Sequence, residues 1–521
     1  MAPPPKPRAP SENDRALIAP GWAELLQRLA APPPAPADSQ LAGESATRLR
    51  ADARRELVAL AAAYTGRYAS APARPFTDET PLVLSGHQPE LFHPGVWFKN
   101  IALDALAKQA GAVGVHLLID TDLCQAPGVR TPTGSLQEPR VEPAPLDARG
   151  PSAPYEQRPI HDADLFDSFG ERVASLVAPL VRDPLALSRW PLAIEARRRG
   201  ATLGQALSEY RHRIELGWGS QTLELPLSAA CDGQAFRCLA AELLARPAQT
   251  RAAYNAALAE FRQRRRLRNA AQPLPDLAEA DGLVETPLWV WSDDTPARRA
   301  LFASLRDGRL RLTDRHGWSA DGPADAASIA AWIAELRQRG VKLRSRALVT
   351  TLFARLLLAD LFLHGIGGAR YDEVTDRFAE LLLGVRLPWH ATLSATLRLP
   401  IEHGLPGPTE LRGLRQKRRD LRFHGEWFLP EGSPAADAAS QKADWIAQAK
   451  TPANAAQRHA GITEANSRMH AALRPLREET DEAIAAARHG VRARRVLDSR
   501  EHSFCLFPEA DLRRRLAALC P

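Results

Sequence analysis

Cysteine is scarce in this chain: five in 521 residues, Cys124, Cys231, Cys238, Cys505 and Cys520, with no CxxC pair and no metal-ligand spacing. An odd, scattered set excludes a disulfide scaffold and leads us to expect a reducing compartment. A long apolar run is missing too. The most apolar segment, Ala347 to Ile366, is interrupted by Arg355, Asp360 and His364. An unpaired charge in lipid is costly, so no membrane span and no membrane partner are expected. The N-terminus, MAPPPKPRAP, has no apolar signal core, and the expectation is a cytoplasmic protein. Nor does one sign of charge dominate, since 68 basic residues face 61 acidic ones for a net +7. The basic clusters Arg262 to Arg268 (RQRRRLR) and Arg412 to Arg422 (RGLRQKRRDLR) fall on expected helices and read as solvated faces. Lacking interleaved aromatics or a known module, they do not make a nucleic-acid surface. Scattered Arg suits a small anionic substrate better.

What is present is an ordinary globular composition, 45% hydrophobic and 25% charged. The length sets a prior of roughly two to four domains, or one domain with large insertions. The 43 prolines exceed average usage and gather in the first forty residues and in linkers.

The most informative stretch is Leu84-Ser85-Gly86-His87-Gln88-Pro89-Glu90-Leu91-Phe92-His93-Pro94-Gly95-Val96-Trp97-Phe98-Lys99. A short apolar run, Pro81 to Leu84, reads as a buried strand, and Val96 to Ala110 reads as a helix. A strand therefore hands over to a helix through a loop rich in Gly and His. Open α/β sheets place ligand chemistry at such corners, because strand ends and helix starts converge there. Free N–H groups and partial positive charge at a helix start suit phosphate or carboxylate. His87 and Gln88 supply donors, and Lys99 adds charge one turn in. A His beside a helix start also caps helices without any ligand.

Val115 to Ile119 reads as a second buried strand ending in Asp120-Thr121-Asp122. Strand, helix and strand at this spacing form a parallel unit, so both carboxylates are expected at the same sheet edge as the His87 loop. There they would hold a metal, a ribose or an amine, or simply cap a helix. Residues 1–40 read as a loose arm with one helix near Trp22 to Leu29, Glu44 to Tyr68 as a helix, 123–160 as irregular, and 161–220 as helical. Thr222 to Leu227 and Leu283 to Trp291 read as strands around a helical stretch, Ala235 to Arg266. Glu285 opens the second of these and reads as a substrate ligand or an exposed edge residue. Arg344 to Phe362 reads as one apolar helix running into His364-Gly365-Ile366-Gly367-Gly368-Ala369-Arg370-Tyr371. This second glycine turn opens a helix over Tyr371 to Leu383. Consecutive Gly lets the backbone approach a ligand, although a plain Gly C-cap gives the same pattern.

Three patches together resemble the bacillithiol-biosynthesis cysteine-adding enzyme family: Gly86-His87-Gln88 with Leu91 and Lys99, then Arg344 to Tyr371, then Ser503 to Pro508. The family's acid–His–acid cluster after the second strand is here Asp120-Thr121-Asp122. The resemblance implies an α/β fold with a Rossmann-like parallel core, helical insertions and a C-terminal coiled-coil-like helical arm. The corresponding segments are 1–75 (arm and helix), 76–225 (first part of the core) and 226–340 (insertion and core strands). They continue with 341–400 (second part, with the Gly-Gly loop), 401–495 (helical arm, through which a homodimer would form) and 496–521 (return to the core). It further implies a ligase that joins cysteine to an amino-sugar conjugate. By analogy of position alone, the His87–His93 loop is similar to the signature loop of class I nucleotidyl transferases, which makes ATP or ADP a candidate cofactor.

On this reading His87, His93, Asp120 and Asp122 are the catalytic candidates. Gly86, Gln88, Lys99, Glu285, Gly367, Gly368, Arg370 and Tyr371 would bind substrate or nucleotide, and no metal is expected. The competing reading is a non-catalytic relative that keeps the core for binding and the helical segment for dimerisation.

Overall fold

The computed structural model describes residues 7–31, 39–70, 75–124, 127–269 and 271–521. Parts of the expected N-terminal arm, 1–6 and 32–38, lie outside them. Two compact units are present, one of residues 1–131, 143–398 and 500–521, the other of 132–142 and 399–499.

The first unit is mixed α/β and is organised by a six-stranded sheet. Across the sheet the strands run Arg15–Ala19, Trp389–Thr396, Leu361–His364, Leu82–His87, Val113–Leu118 and Leu223–Pro226. The last five are mutually parallel, and Arg15–Ala19 closes one edge antiparallel to Trp389–Thr396. The central strands are apolar on both faces (Leu82, Val83 and Leu84; Leu361 and Leu363 are all fully buried), as parallel strands covered on two sides must be. In chain order the parallel strands stand 3-2-1-4-5. The chain leaves the first strand, Leu82–His87, toward one edge and later returns to add Leu361–His364 on the other side. The order reverses between those two strands, and a crevice opens where the flanking crossovers diverge.

Helix Pro94–Gln109 connects the first two parallel strands, and Ile366–Leu383 connects the fourth and fifth. A second, antiparallel sheet is built from Ser319–Gly322, Arg309–Thr313, Arg299–Arg306, Leu283–Ser292 and Val341–Ser345. The Leu283 strand thus belongs to this sheet and not to the parallel one.

Several expectations need correction. Arg344 to Phe362 is not one helix. Val341–Ser345 is a strand, Ala347–Phe353 a helix, Ala354–Leu358 a wider π turn, and Leu361–His364 a central strand. A continuous apolar run does not distinguish a buried helix from a strand buried on both faces. The break is held by Arg50, whose guanidinium donates to the carbonyls of Leu356 (2.9 Å) and Ala359 (2.8 Å). Asp360 then pairs with Arg50 and Arg54 and accepts from the Leu82 N–H at 2.7 Å, which fixes the start of the strand pair. The glycine pair does not precede its helix. Helix Ile366–Leu383 begins five residues before the expected start at Tyr371, so Gly367 and Gly368 lie in its first turn. Within 1–40, Arg15–Ala19 is a paired edge strand. Within 123–160, Gly128–Gly134 and Pro139–Pro145 form a two-stranded sheet.

The second unit is helical, with Pro408–Phe423, Ala436–Ala447, Ala455–Ala472 and Arg474–Leu497 as its main elements. Its buried apolar residues form small clusters. Leu411 packs with Ile484 and Ala487, while Ala435 and Ala438 pack with Ala465 and Met469.

Candidate functional site

The crevice at the strand-order reversal holds a cavity of about 650 Å³. It is lined from the first parallel strand and its loop by Gly86, His87, Gln88, His93 and Lys99, and from the fourth by His364, Gly365, Gly367, Gly368, Arg370 and Tyr371. Asp122 reaches it from the second strand, Trp289 from the antiparallel sheet, and Arg500 from the last segment. Of the twelve residues singled out from sequence, ten meet here; Asp120 and Glu285 do not.

The two helix starts differ. At Pro94–Gln109 the free N–H groups are already used: His93 is the N-cap, its Nδ1 accepts from Gly95 N–H at 3.1 Å, and its carbonyl accepts from Val96 N–H at 2.9 Å. His93 is thus a capping residue at the cavity wall, held neutral because burial lowers its pKa to about 4 despite Glu501 nearby. Helix Ile366–Leu383 starts on Gly365, which has no side chain to cap it, and its first main-chain bond is Ala369 N–H to Gly365 O at 3.0 Å. Its first N–H groups are the ones a helix cannot satisfy internally. They lie on the cavity wall, where the helix dipole favours an anion.

Lys99 stands against this second helix start, with its Cε 3.9 Å from where a Cβ on Gly365 would be. Its side chain is buried and its ammonium donates to the Gly86 carbonyl at 3.0 Å. Burial, reinforced by the Arg211 guanidinium, lowers its pKa to about 8. Among the described residues no carboxylate pairs with this ammonium, whose hydrogen bond goes to the Gly86 carbonyl. A buried ammonium without an anion is costly in an empty site and favourable in a site that receives one. Arg370 is exposed at the rim, and Arg500 donates to Ser394 Oγ (3.2 Å) and Ala395 O (3.0 Å) at the wall.

His87 plays a part opposite to the one expected. Burial, with Lys99 adding to it, lowers its pKa to about 3, so the ring is neutral. Nδ1 lies 3.1 Å from the Gln88 carbonyl, which can only accept, so Nδ1 carries the proton. Nε2 is left with a lone pair. His87 is therefore an acceptor at the cavity, not a donor to an anion.

Among the described residues, Asp122 is the one carboxylate on the cavity wall. Its oxygens are taken by Gln88 Nε2 at 2.8 Å and Arg298 Nη1 at 2.7 Å. Arg298 and Arg346 both lie over the Trp289 ring, at 4.5 and 3.9 Å from its centroid. This lattice ties the first loop to the antiparallel sheet. Asp120 turns instead to Ser228, accepting from its N–H at 2.9 Å and its hydroxyl at 2.5 Å. Glu285 pairs with Arg346 at 2.7 Å and accepts from Ala278 N–H at 3.0 Å. Both have the structural roles that their residue types also allowed.

His364, noted in the sequence only as a flank, ends the fourth parallel strand and lines the cavity. Its Nε2 is 2.6 Å from Asp372 Oδ2. Asp372 is fully buried and is also held by Arg355 Nη1 at 3.1 Å, which the π turn aims inward. Burial alone would raise the Asp372 pKa, but His364 and Arg355 outweigh it and hold the carboxyl well below its usual range. Gly368 makes room for the ring, since a Cβ there would sit 2.6 Å from His364 Nδ1. The sequence did carry a signal: Asp372 falls in the buried stripe of its helix with Ala369, Phe378 and Ala379, and a carboxylate there needs a partner.

No family model and no curated protein matches this chain. Among the described residues no helix is long and apolar enough to cross a membrane.

Proposed function

We propose that the protein is a Rossmann-type enzyme that binds a negatively charged small molecule between the 86–99 and 364–372 loops and joins an amino acid to an amine. Cysteine and an amino-sugar conjugate are the pair that the family resemblance suggests. The observation that carries the reading is the convergence of an uncapped helix start and a buried Lys99 on one cavity at the sheet's reversal point. The helix N–H groups and Lys99 hold the anion, with Arg370 closing over it as a planar fork suited to carboxylate or phosphate. His364, placed beside Asp372, takes the proton that the amine loses as its nitrogen bonds to the carboxyl carbon, while the carboxyl C–O bond breaks and its oxygen leaves on a phosphate that ATP would supply, toward the anion site.

The test is twofold: isothermal titration with inorganic pyrophosphate and with ADP, then mass-spectrometric detection of amide formation from cysteine and an amino-sugar conjugate, with and without ATP. Binding and amide product together support the reading. Pyrophosphate binding without any product favours the second reading, a non-catalytic binding protein. What favours that alternative is the tying of Asp122 by Gln88 and Arg298 and of Asp120 by Ser228, so that neither of these two carboxylates is free to orient an amine. Absence of binding by both anions refutes the proposal.

A further inference from the structure

A second cavity, of about 470 Å³, adjoins the first. The two share Gly367, Arg370 and Tyr371, the exposed side of the helix start. The chemistry changes across that shared wall. The first chamber has the glycines of the helix start, Lys99, Arg500 and three histidines on its wall, beside apolar Trp289 and Phe362. The second is lined by Phe261, Leu267, Pro273 and Tyr371, with Gln272, His390 and Thr392 as polar members. Of its charged members, Arg265 and Glu373 are paired with each other, and Arg370 stands on the shared wall. Tyr371 is half-buried and belongs to both chambers.

From this juxtaposition we infer that the ligand is bipartite: its anionic group sits at the helix start in the first cavity, and a flat heterocyclic group, as in a nucleoside diphosphate, occupies the second, passing Arg370 and Tyr371 between them. The inference rests on the anion-binding reading above and deepens it by naming the ligand's other half. A planar heterocycle fits because the walls are apolar and partly aromatic while the rim offers hydrogen-bonding groups. That is the pattern by which pockets hold rings and fix their orientation. A bare sugar phosphate would leave those apolar walls facing hydroxyls, and burying hydroxyls without partners is unfavourable.

The test compares inorganic pyrophosphate with ADP, which carry the same diphosphate, by isothermal titration on the full chain. The expected result is that ADP binds at least about tenfold more tightly than pyrophosphate. Leu267→Trp, which fills the second chamber from a loop outside any helix or strand, should remove that advantage and leave pyrophosphate affinity within about twofold. Gln272→Ala serves as a milder variant should the Trp protein fail to fold, and it should lower ADP affinity about threefold or more without touching pyrophosphate. Equal affinity for the two ligands in the wild type overturns the inference but leaves the anion site standing. So does an ADP advantage that survives both substitutions. If neither ligand binds, the underlying reading fails with it.

Discussion

His364 Nε2 stands 2.6 Å from Asp372 Oδ2, and that contact joins the end of a central strand to the helix that follows it. The two atoms lie within ion-pair distance, although Nε2 has no partner in hydrogen-bond geometry among the described residues. Nε2 faces the carboxylate, and Nδ1 faces the first helical turn at Gly368. The strand, the π turn bearing Arg355 and the helix therefore meet on one buried carboxylate.

Asp372→Asn removes that carboxylate while Arg355 and His364 stay buried. Breaking a buried pair in this way costs on the order of 3–5 kcal/mol, and urea unfolding at neutral pH should show a loss of that size. The pH dependence has a definite sign. A carboxyl held below its unfolded value stabilises the fold above about pH 4 and loses that contribution as pH falls through its folded pKa. The gap between wild type and Asp372→Asn should thus be full at pH 7 and shrink in strong acid. A gap independent of pH would remove Asp372 from this role.

Lys99→Met should separate stability from binding. The ammonium's pKa is lowered to about 8, so below that pH the folded state carries a charge that burial disfavours. Between about pH 8 and 10.4 the unfolded chain binds the extra proton, and stability attributable to this group rises with pH across that window. Replacing it with an apolar side chain of similar length should stabilise the ligand-free protein at pH 7 by on the order of 1–3 kcal/mol. The same variant should weaken pyrophosphate binding at least tenfold. Wild-type affinity should itself decline above pH 8. A variant that is less stable and binds normally would show Lys99 to be structural.

Gly95 and Gly413 make a matched pair of tests. A Cβ on Gly95 would lie 2.1 Å from the Ala395 carbonyl oxygen and 2.7 Å from Arg500 Nη2. The carbonyl belongs to a sheet strand and cannot yield, so Gly95→Ala should destabilise by about 1–3 kcal/mol. Gly413, inside helix Pro408–Phe423, has nothing within 4 Å of such a Cβ. Gly413→Ala should stabilise by up to about 1 kcal/mol through helix propensity. Thermal melts of the two proteins should move in opposite directions.

The parallel strand–helix–strand unit was legible because its signals are local: an apolar run, a Gly/His loop, a helical stripe, a second run. The meeting of the 86–99 and 364–372 loops depends on strand order, which only the folded sheet reveals. Leu361 and Phe362 read as the end of a helix because a strand buried on both faces shows no alternation. Asp120 and Asp122 were indistinguishable in sequence. Ser228, far along the chain, decides that Asp120 turns away. For His87 the tautomer follows from one carbonyl contact of Nδ1, which composition does not encode.

Asp120 and Asp122 therefore offer the sharpest contrast between sequence and fold. Burial, helped by Glu156, raises the Asp120 pKa to about 7, and its oxygens face Ser228. An acid with a raised folded pKa contributes stability that is present below its unfolded value and is lost as pH rises through the folded one. Asp120→Asn, which stays neutral, should remove that pH dependence between about pH 4 and 7 and leave pyrophosphate affinity unchanged. Asp122→Asn keeps the shape but weakens the contacts to Gln88 and Arg298, each made to a charged group and typically worth about 1.5–3 kcal/mol. It should loosen the 86–99 loop, visible as faster amide exchange there, and lower pyrophosphate affinity by several-fold. Should Asp120→Asn instead abolish binding while Asp122→Asn has no effect, the cavity described here would not be where the anion is held.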